Sequence, residues 1–282
     1  MLPIYEQGRK KRMKKQHLIA LDLDGTLLKD DKTISEKTLK VIAKAKQQGH
    51  IVVISTGRPY RASIQYYQQM KLDTPIVNFN GAFVHHPLNQ NFQTVHSPLD
   101  LDIAKTVIET CEAFEVSNIM VEVIDDFYLR HFDQVLVDSF VAGQSPVEYG
   151  NLIDIVNQDP TCILIHPFDH HAEELKSLLS SAHAEVIDQR SWGAPMNILE
   201  LVKSGVNKAT GLKRIADYYQ IPRDRVIAFG DEDNDLEMIE YAGKGIAMAN
   251  AIKELKTIAH SVTLTNEEDG LALYLEDELS LK

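Results

Sequence analysis

The chain has 282 residues, 44% of them hydrophobic and 25% charged, which suits one large domain or two modest ones with cores of their own. Acidic residues outnumber basic ones 41 to 29, giving a formal net charge of −12, so the average surface repels phosphate backbones and no nucleic-acid partner is expected. No apolar run approaches the ~20 residues of a membrane span. Nothing has the form of a secretory leader, and Cys111 and Cys162 cannot build a disulfide framework, so a cytoplasmic protein with no membrane partner is expected and no oligomeric state is assigned.

Residues 1–12 contain Arg9-Lys10-Lys11-Arg12, a basic cluster without an apolar stretch. It reads as a solvated extension, or as a segment preceding a start at Met13; a nuclear-targeting or polyanion-binding tail is the alternative. Leu18-Ile19-Ala20-Leu21 is a short buried strand ending at Asp22. Leu39, Ile42 and Ala45 fall at helical spacing within Ser35–Gln48, with a candidate capping box at Thr33/Glu36 and a stop at Gly49. Ile51–Ile54 is a second strand, Arg61–Met70 a helix and Pro75–Phe79 a third strand. This alternation predicts a parallel sheet with crossover helices.

The rhythm then changes. An amphipathic helix over 101–115 is followed by a hairpin, Ile119–Ile124 and Phe127–Arg130, around Asp125-Asp126. Cys162–Pro167 reads as a strand, Ala172–Ser180 as a helix and Ala184–Ile187 as a strand. Core-type strands return at Asn197–Val202 and Val226–Phe229, with a helix at Lys208–Tyr219 between them. The expected organisation is a Rossmann-like, doubly wound α/β core formed by residues 13–84 and 196–282, split by an inserted α+β cap at 85–195. The two connections, near His85–Pro87 and Trp192–Pro195, suit a hinge.

In a parallel sheet the carboxyl ends of the strands meet at one edge, where ligands bind. That edge would collect Asp22-Leu23-Asp24-Gly25-Thr26, Ser55-Thr56-Gly57-Arg58, Asn78-Phe79-Asn80-Gly81 and Gly230-Asp231-Glu232-Asp233-Asn234-Asp235. Acids gathered from two strands repel one another unless a cation lies among them. Mg²⁺ is the expected ion if a phosphate is its other ligand. Taken singly, each acid could equally be a turn or helix-capping residue.

Together these motifs, with Gly205-Val206-Asn207-Lys208, resemble the haloacid dehalogenase-like (HAD) phosphohydrolases, specifically the Cof-type branch with a large α+β cap. The resemblance spans Asp22 to Asp235. It implies Asp22 as the nucleophile that forms an aspartyl-phosphate, and Asp24 as acid and then base, with its backbone carbonyl on the metal. Lys208 would neutralise charge on the nucleophile and phosphate. Asp22, Asp231 and Asp235 would hold Mg²⁺ with Asp24. Thr56, Gly57, Asn80, Gly81 and Asn234 would bind phosphate or substrate, and Arg58 would stand at the entrance; Gly25, Gly57 and Gly81 would let backbone approach the phosphate. The implied activity is hydrolysis of small phosphomonoesters, sugar phosphates foremost. A phosphomutase-type transferase and a catalytically silent phosphometabolite-binding regulator are the alternatives. His166, His170, His171 and His183 fit no zinc spacing. Trp192 reads as a packing or hinge residue, and Glu122 and Asp125-Asp126 as hairpin-turn residues, with a place in the lining of a substrate pocket as the alternative.

Overall fold

The computed structural model describes residues 15–281, apart from 135, 138–143, 169, 171, 184–186 and 193–197, and apart from the side chains of 182, 183 and 189–192. The basic segment 1–12, His171, the 184–186 part of the expected strand, the segment following Trp192 and the side chains of His183 and Trp192 therefore lie outside the described residues.

The strands are β1 (Leu18–Leu21), β2 (Ile51–Ile54), β3 (Ile76–Asn78), β4 (Phe83–His85), β5 (Val95–His96), β6 (Asn118–Val123), β7 (Asp126–Leu129), β8 (Glu148–Tyr149), β9 (Cys162–His166), β10 (Ile187–Trp192), β11 (Ile198–Lys203), β12 (Val226–Gly230), β13 (Lys244–Ala247) and β14 (Ser261–Val262). The principal helices are α1 (Glu36–Gln47), α2 (Tyr60–Gln69), α3 (Leu101–Ala113), α4 (Ala172–His183) and α5 (Lys208–Tyr218). They are followed by shorter ones at Leu236–Tyr241 and Lys253–Ile258 and the closing helix Gly270–Glu278.

The core sheet has the order β14-β13-β12-β1-β2, and its pairs are parallel. All four residues of β1 and of β2 are buried, as continuous apolar strands covered on both faces should be. From β1 the chain moves outward to β2, whereas from β12 it moves the other way to β13 and β14. The β1/β12 boundary is thus a topological switch point, and Asp22 and Asp231 follow those two strands. Helix α1 starts two residues later than the candidate capping box implied. Ser35 is its N-cap and accepts from the Thr38 N–H, while Thr33 is held in a local turn by Asp31.

The second sheet has the order β10-β11-β9-β6-β7-β8. Residues of alternate parity form two apolar clusters on its faces, as the two-residue period of a strand demands. Ile119, Val121, Ile163, Leu199 and Leu201 pack with α3 and α4, whereas Met120, Leu129, Leu164 and Val202 pack with Phe79, Ala82 and Phe83 of the core segment. The core-facing side of the cap therefore carries the even-numbered residues of β6, β9 and β11.

Two expectations about the domain limits change. β11 does not rejoin the parallel core but pairs antiparallel with β9 and β10 in the cap sheet. Its apolar run misleads because a central strand covered on both faces reads like a parallel one. At the other end, β4 pairs with β3 and β5 with β4, and Phe92 and Val95 pack on the core, so the cap sheet's share of the chain begins beyond His96 rather than at residue 85. No helix among the described residues is long and apolar enough to cross a membrane.

Candidate active site

Asp22 leaves β1 with only 5% of its surface exposed. Lys208 opens α5, whose N-terminus is fixed by a reciprocal cap between Asn207 and Thr210. Its fully buried ammonium donates to Asp22 Oδ1 at 2.6 Å and to Asp235 Oδ1 at 2.7 Å. The other Asp235 oxygen accepts the backbone N–H groups of Asp231 and Glu232 at 2.9 and 3.2 Å. Asp231 accepts from the Thr26 hydroxyl at 2.7 Å. Asn250 ties this side together, donating to the Gly25 carbonyl at 2.7 Å and lying 3.5 Å from Asp231 Oδ2. Gly25 has φ +75°, and a Cβ there would fall 2.0 Å from Asp231 Oδ2, so only glycine lets the two loops meet.

Burial pushes the Asp22 carboxyl well above the usual range; Lys208 pulls it down, and Asp235 and Asp231 push it up further. Burial, then the Asp235 charge, lifts Asp231 to about 7. Burial alone would lower the Lys208 ammonium, but the two carboxylates it touches raise it above its ordinary value. One ammonium therefore faces three carboxylates whose oxygens lie within 4.8 Å of one another. A donor set of anionic oxygens with surplus negative charge fits a hard divalent cation.

The Asp24 carboxylate stands apart from this trio. Arg58 forks onto it, Nε to Oδ2 and Nη2 to Oδ1, each at 2.6 Å, and Lys32 adds a contact at 2.8 Å. Against the desolvation of partial burial, these two cations hold the Asp24 carboxyl down at about 2. Thr56 is buried beside it, and its hydroxyl accepts the Arg58 N–H at 3.1 Å. Asn80 is fully buried with φ +51° and donates from Nδ2 to Glu200 Oε2 at 3.0 Å. Asn234 donates in turn to Asn80 Oδ1, also at 3.0 Å. Gly57 and Gly81 make room for protein: a Cβ at Gly57 would lie 3.2 Å from the Asn80 amide, and one at Gly81 would lie 2.2 Å from the Asn207 carbonyl.

The residues singled out in the sequence thus assemble as two adjoining groups, Asp22/Asp231/Asp235/Lys208 and Asp24/Arg58, with Thr56, Asn80 and Asn234 at their margin. Several partners carried no sequence signal. Lys32, Asn250 and Glu200 belong to no motif and arrive through the fold. Glu122, read as a turn residue, is instead buried on β6 and paired with Arg61 of α2. Asp125, in the turn itself, accepts the Arg61 backbone N–H at 2.9 Å. Among the described residues no histidine joins a group able to hold a metal.

Residues 19–275 match the family model of the haloacid dehalogenase-like hydrolases. The chain belongs to that family, and it is a phosphatase of the branch named above. It is 54% identical over 267 residues to the 5-amino-6-(5-phospho-D-ribitylamino)uracil phosphatase YitU of Bacillus subtilis, covering 95% of this chain and 99% of the relative. It is 27% identical over 281 residues to the pyridoxal phosphate phosphatase YbhA of Escherichia coli, covering 93% and 98%. Among solved structures, a haloacid dehalogenase-like hydrolase from Bacteroides thetaiotaomicron superposes with a TM-score of 0.83 at 26% identity, covering 94% of this chain and all of that one.

Proposed function

We propose that this phosphatase is Mg²⁺-dependent, works in the cytosol and hydrolyses 5-amino-6-(5-phospho-D-ribitylamino)uracil to the free ribitylaminouracil and inorganic phosphate. The observation that carries the substrate is the 54% identity to YitU along 99% of that enzyme's length. It narrows the expectation of a sugar phosphate to a phosphorylated pentitol chain carrying an aminouracil.

The chemistry follows from the strand ends. An Asp22 oxygen attacks phosphorus in line; the bond from phosphorus to the ribityl oxygen breaks, and Asp24 protonates that oxygen. A water then gives its proton to Asp24 and attacks the phosphoryl group on Asp22, releasing phosphate, freeing the Asp22 carboxylate and returning Asp24 to the protonated form in which it began the cycle. Lys208 holds Asp22 in place and offsets its charge. Asp22, Asp231 and Asp235, with the Asp24 carbonyl, would hold Mg²⁺, which when bound neutralises the phosphoryl oxygens. Both Asp24 oxygens are occupied by Arg58 and Lys32, so that fork must open before Asp24 can serve a leaving oxygen. Thr56 and Asn234 would donate to the phosphoryl oxygens, and the inserted sheet would cover the leaving group and keep water from the first transfer.

The purified chain should release stoichiometric phosphate from this substrate with Mg²⁺, and stop when EDTA is added. Turnover that requires an added bisphosphate would point to a phosphomutase instead. Absence of release from the ribityl phosphate, beside release from other metabolites, would reject the assigned substrate.

A further inference from the structure

Glu200 is an acid within the apolar run of β11, 1% exposed, on the face of the cap sheet that meets the core. Burying a carboxylate there costs free energy unless hydrogen bonds compensate. Asn80, which belongs to the core and not to the cap, donates to it. The contact has a direction. A carboxylate only accepts, so the Asn80 NH₂ must face Glu200, which turns the Asn80 carbonyl oxygen toward Asn234. Asn234 must then present its own NH₂ to Asn80, which aims the remaining Asn234 oxygen elsewhere. One acceptor side chain of the cap thereby decides which way two successive amides point. The second amide sits between Asp231 and Asp235 in sequence, on the loop that closes the carboxylate cluster.

The backbone at the middle of this relay is constrained. Phe79, Asn80 and Gly81 have consecutive positive φ values of 49°, 51° and 104°. Non-glycine residues adopt that region at a cost, and such conformations persist only where the surroundings enforce them. Here the backbone N–H of Asn80 donates to the Thr56 carbonyl at 3.1 Å, and the Asn80 side chain packs on Gly57. Asn80 is therefore held from below by the Thr56 loop, while its amide is oriented from above by the cap.

We propose that Glu200 is a positioning residue of the phosphoryl pocket: through Asn80 it sets the orientation of the Asn234 amide, so that this part of the pocket is complete only when the inner face of the cap is seated on the core. The inference deepens the proposed mechanism by adding a residue and a means for the cap to be sensed at the phosphate. It rests on the phosphatase reading and is independent of which metabolite is the substrate. What the relay needs from position 200 is a hydrogen-bond acceptor, which glutamine supplies and methionine does not.

The test uses the full chain with p-nitrophenyl phosphate, a substrate with almost no leaving group for the cap to recognise. Glu200→Met should lower kcat about tenfold or more, and weaken calorimetric binding of inorganic phosphate in parallel. Glu200→Gln should stay within about threefold of the parent in both. In the double variant Glu200→Met/Asn234→Ala, turnover should be no lower than in Asn234→Ala alone, because the relay acts through that amide. Multiplying losses in the double variant would overturn the proposal. So would a Glu200→Met chain with a lowered melting temperature but unchanged kcat and phosphate affinity, which is what a merely structural contact predicts. If Glu200→Met does not fold, Glu200→Gln still decides: a tenfold loss in a folded chain contradicts the relay. Failure to hydrolyse the ribityl phosphate would reject the substrate assignment and leave these outcomes readable.

Discussion

At the strand ends of the core a single ammonium, Lys208, stands between two of three neighbouring carboxylates. Where the cap meets helix α2, the Arg61 guanidinium stands against one, Glu122, and is also received by the Ile124 and Asp125 carbonyls and the Phe127 ring. Both places bury ionised groups, but the first is left with surplus negative charge and the second is balanced. A surplus of negative charge invites a cation; a charge-balanced pair has no net charge to draw one and acts as a fastener. Cys162, buried beside Glu122 and donating to it at 3.2 Å, belongs to the fastener, since burial and the neighbouring acid push its thiol well above the range where thiolates react.

The largest effect expected from this contrast is at Asp22. Asp22→Asn keeps the size of the side chain and removes the attacking charge, so phosphate release should fall at least about a thousandfold, with circular dichroism and melting behaviour preserved. Near-normal turnover would mean that the surplus at the strand ends is not the chemical centre. Gly25→Ala comes next. Its methyl group would collide with the Asp231 carboxylate at 2.0 Å, and the displaced loop should cost about a hundredfold in kcat/KM while the chain still folds.

The fastener should respond the other way, in stability more than in rate. Arg61→Met leaves Glu122 buried and unpaired, which should cost about 3–5 kcal/mol in urea unfolding, with turnover of p-nitrophenyl phosphate by the folded chain changed little. Arg61→Met/Glu122→Met should recover most of that stability; a double variant as weak as the single one would show that the pair is more than balanced charge. The smallest effect concerns His85, the last residue of β4. Its Nε2 is buried without a partner, and burial pushes its pKa from 6.5 down to about 4. The unfolded chain therefore binds more protons in that interval, and this stability contribution is complete above pH 6.5 and lost as pH falls toward about 4. His85→Phe should flatten the stability profile across that window, as read by melting temperature.

The sequence made the core legible because its chemistry is local to strand ends. An apolar run that stops at an acid shows both the strand and the place where its chemistry is presented, as β1 does at Asp22 and β12 does at Asp231. The cap was less legible because antiparallel strands can pair out of chain order. β11 reads as another core strand, and only its register with β9 and β10 reveals its sheet. Glu122 and Glu200 escaped for a related reason. Each is a polar position inside a mostly apolar strand, and its role depends on a partner from the other region, Arg61 or Asn80, that no spacing rule connects to it. Lys32 and Asn250 reach the site from loops, where sequence distance says nothing about proximity.

The central claim is that Asp22 carries the phosphoryl group and Asp24 removes it, and one measurement addresses both. In Asp24→Asn, p-nitrophenyl phosphate should still transfer its phosphoryl group, because nitrophenolate leaves without a proton, but the water of the second step has lost its base. Rapid mixing should therefore give a burst of one nitrophenolate per chain, followed by slow turnover, with the phosphoryl label recovered on the peptide containing Asp22. A label on another residue, or turnover with neither burst nor label, would contradict the account.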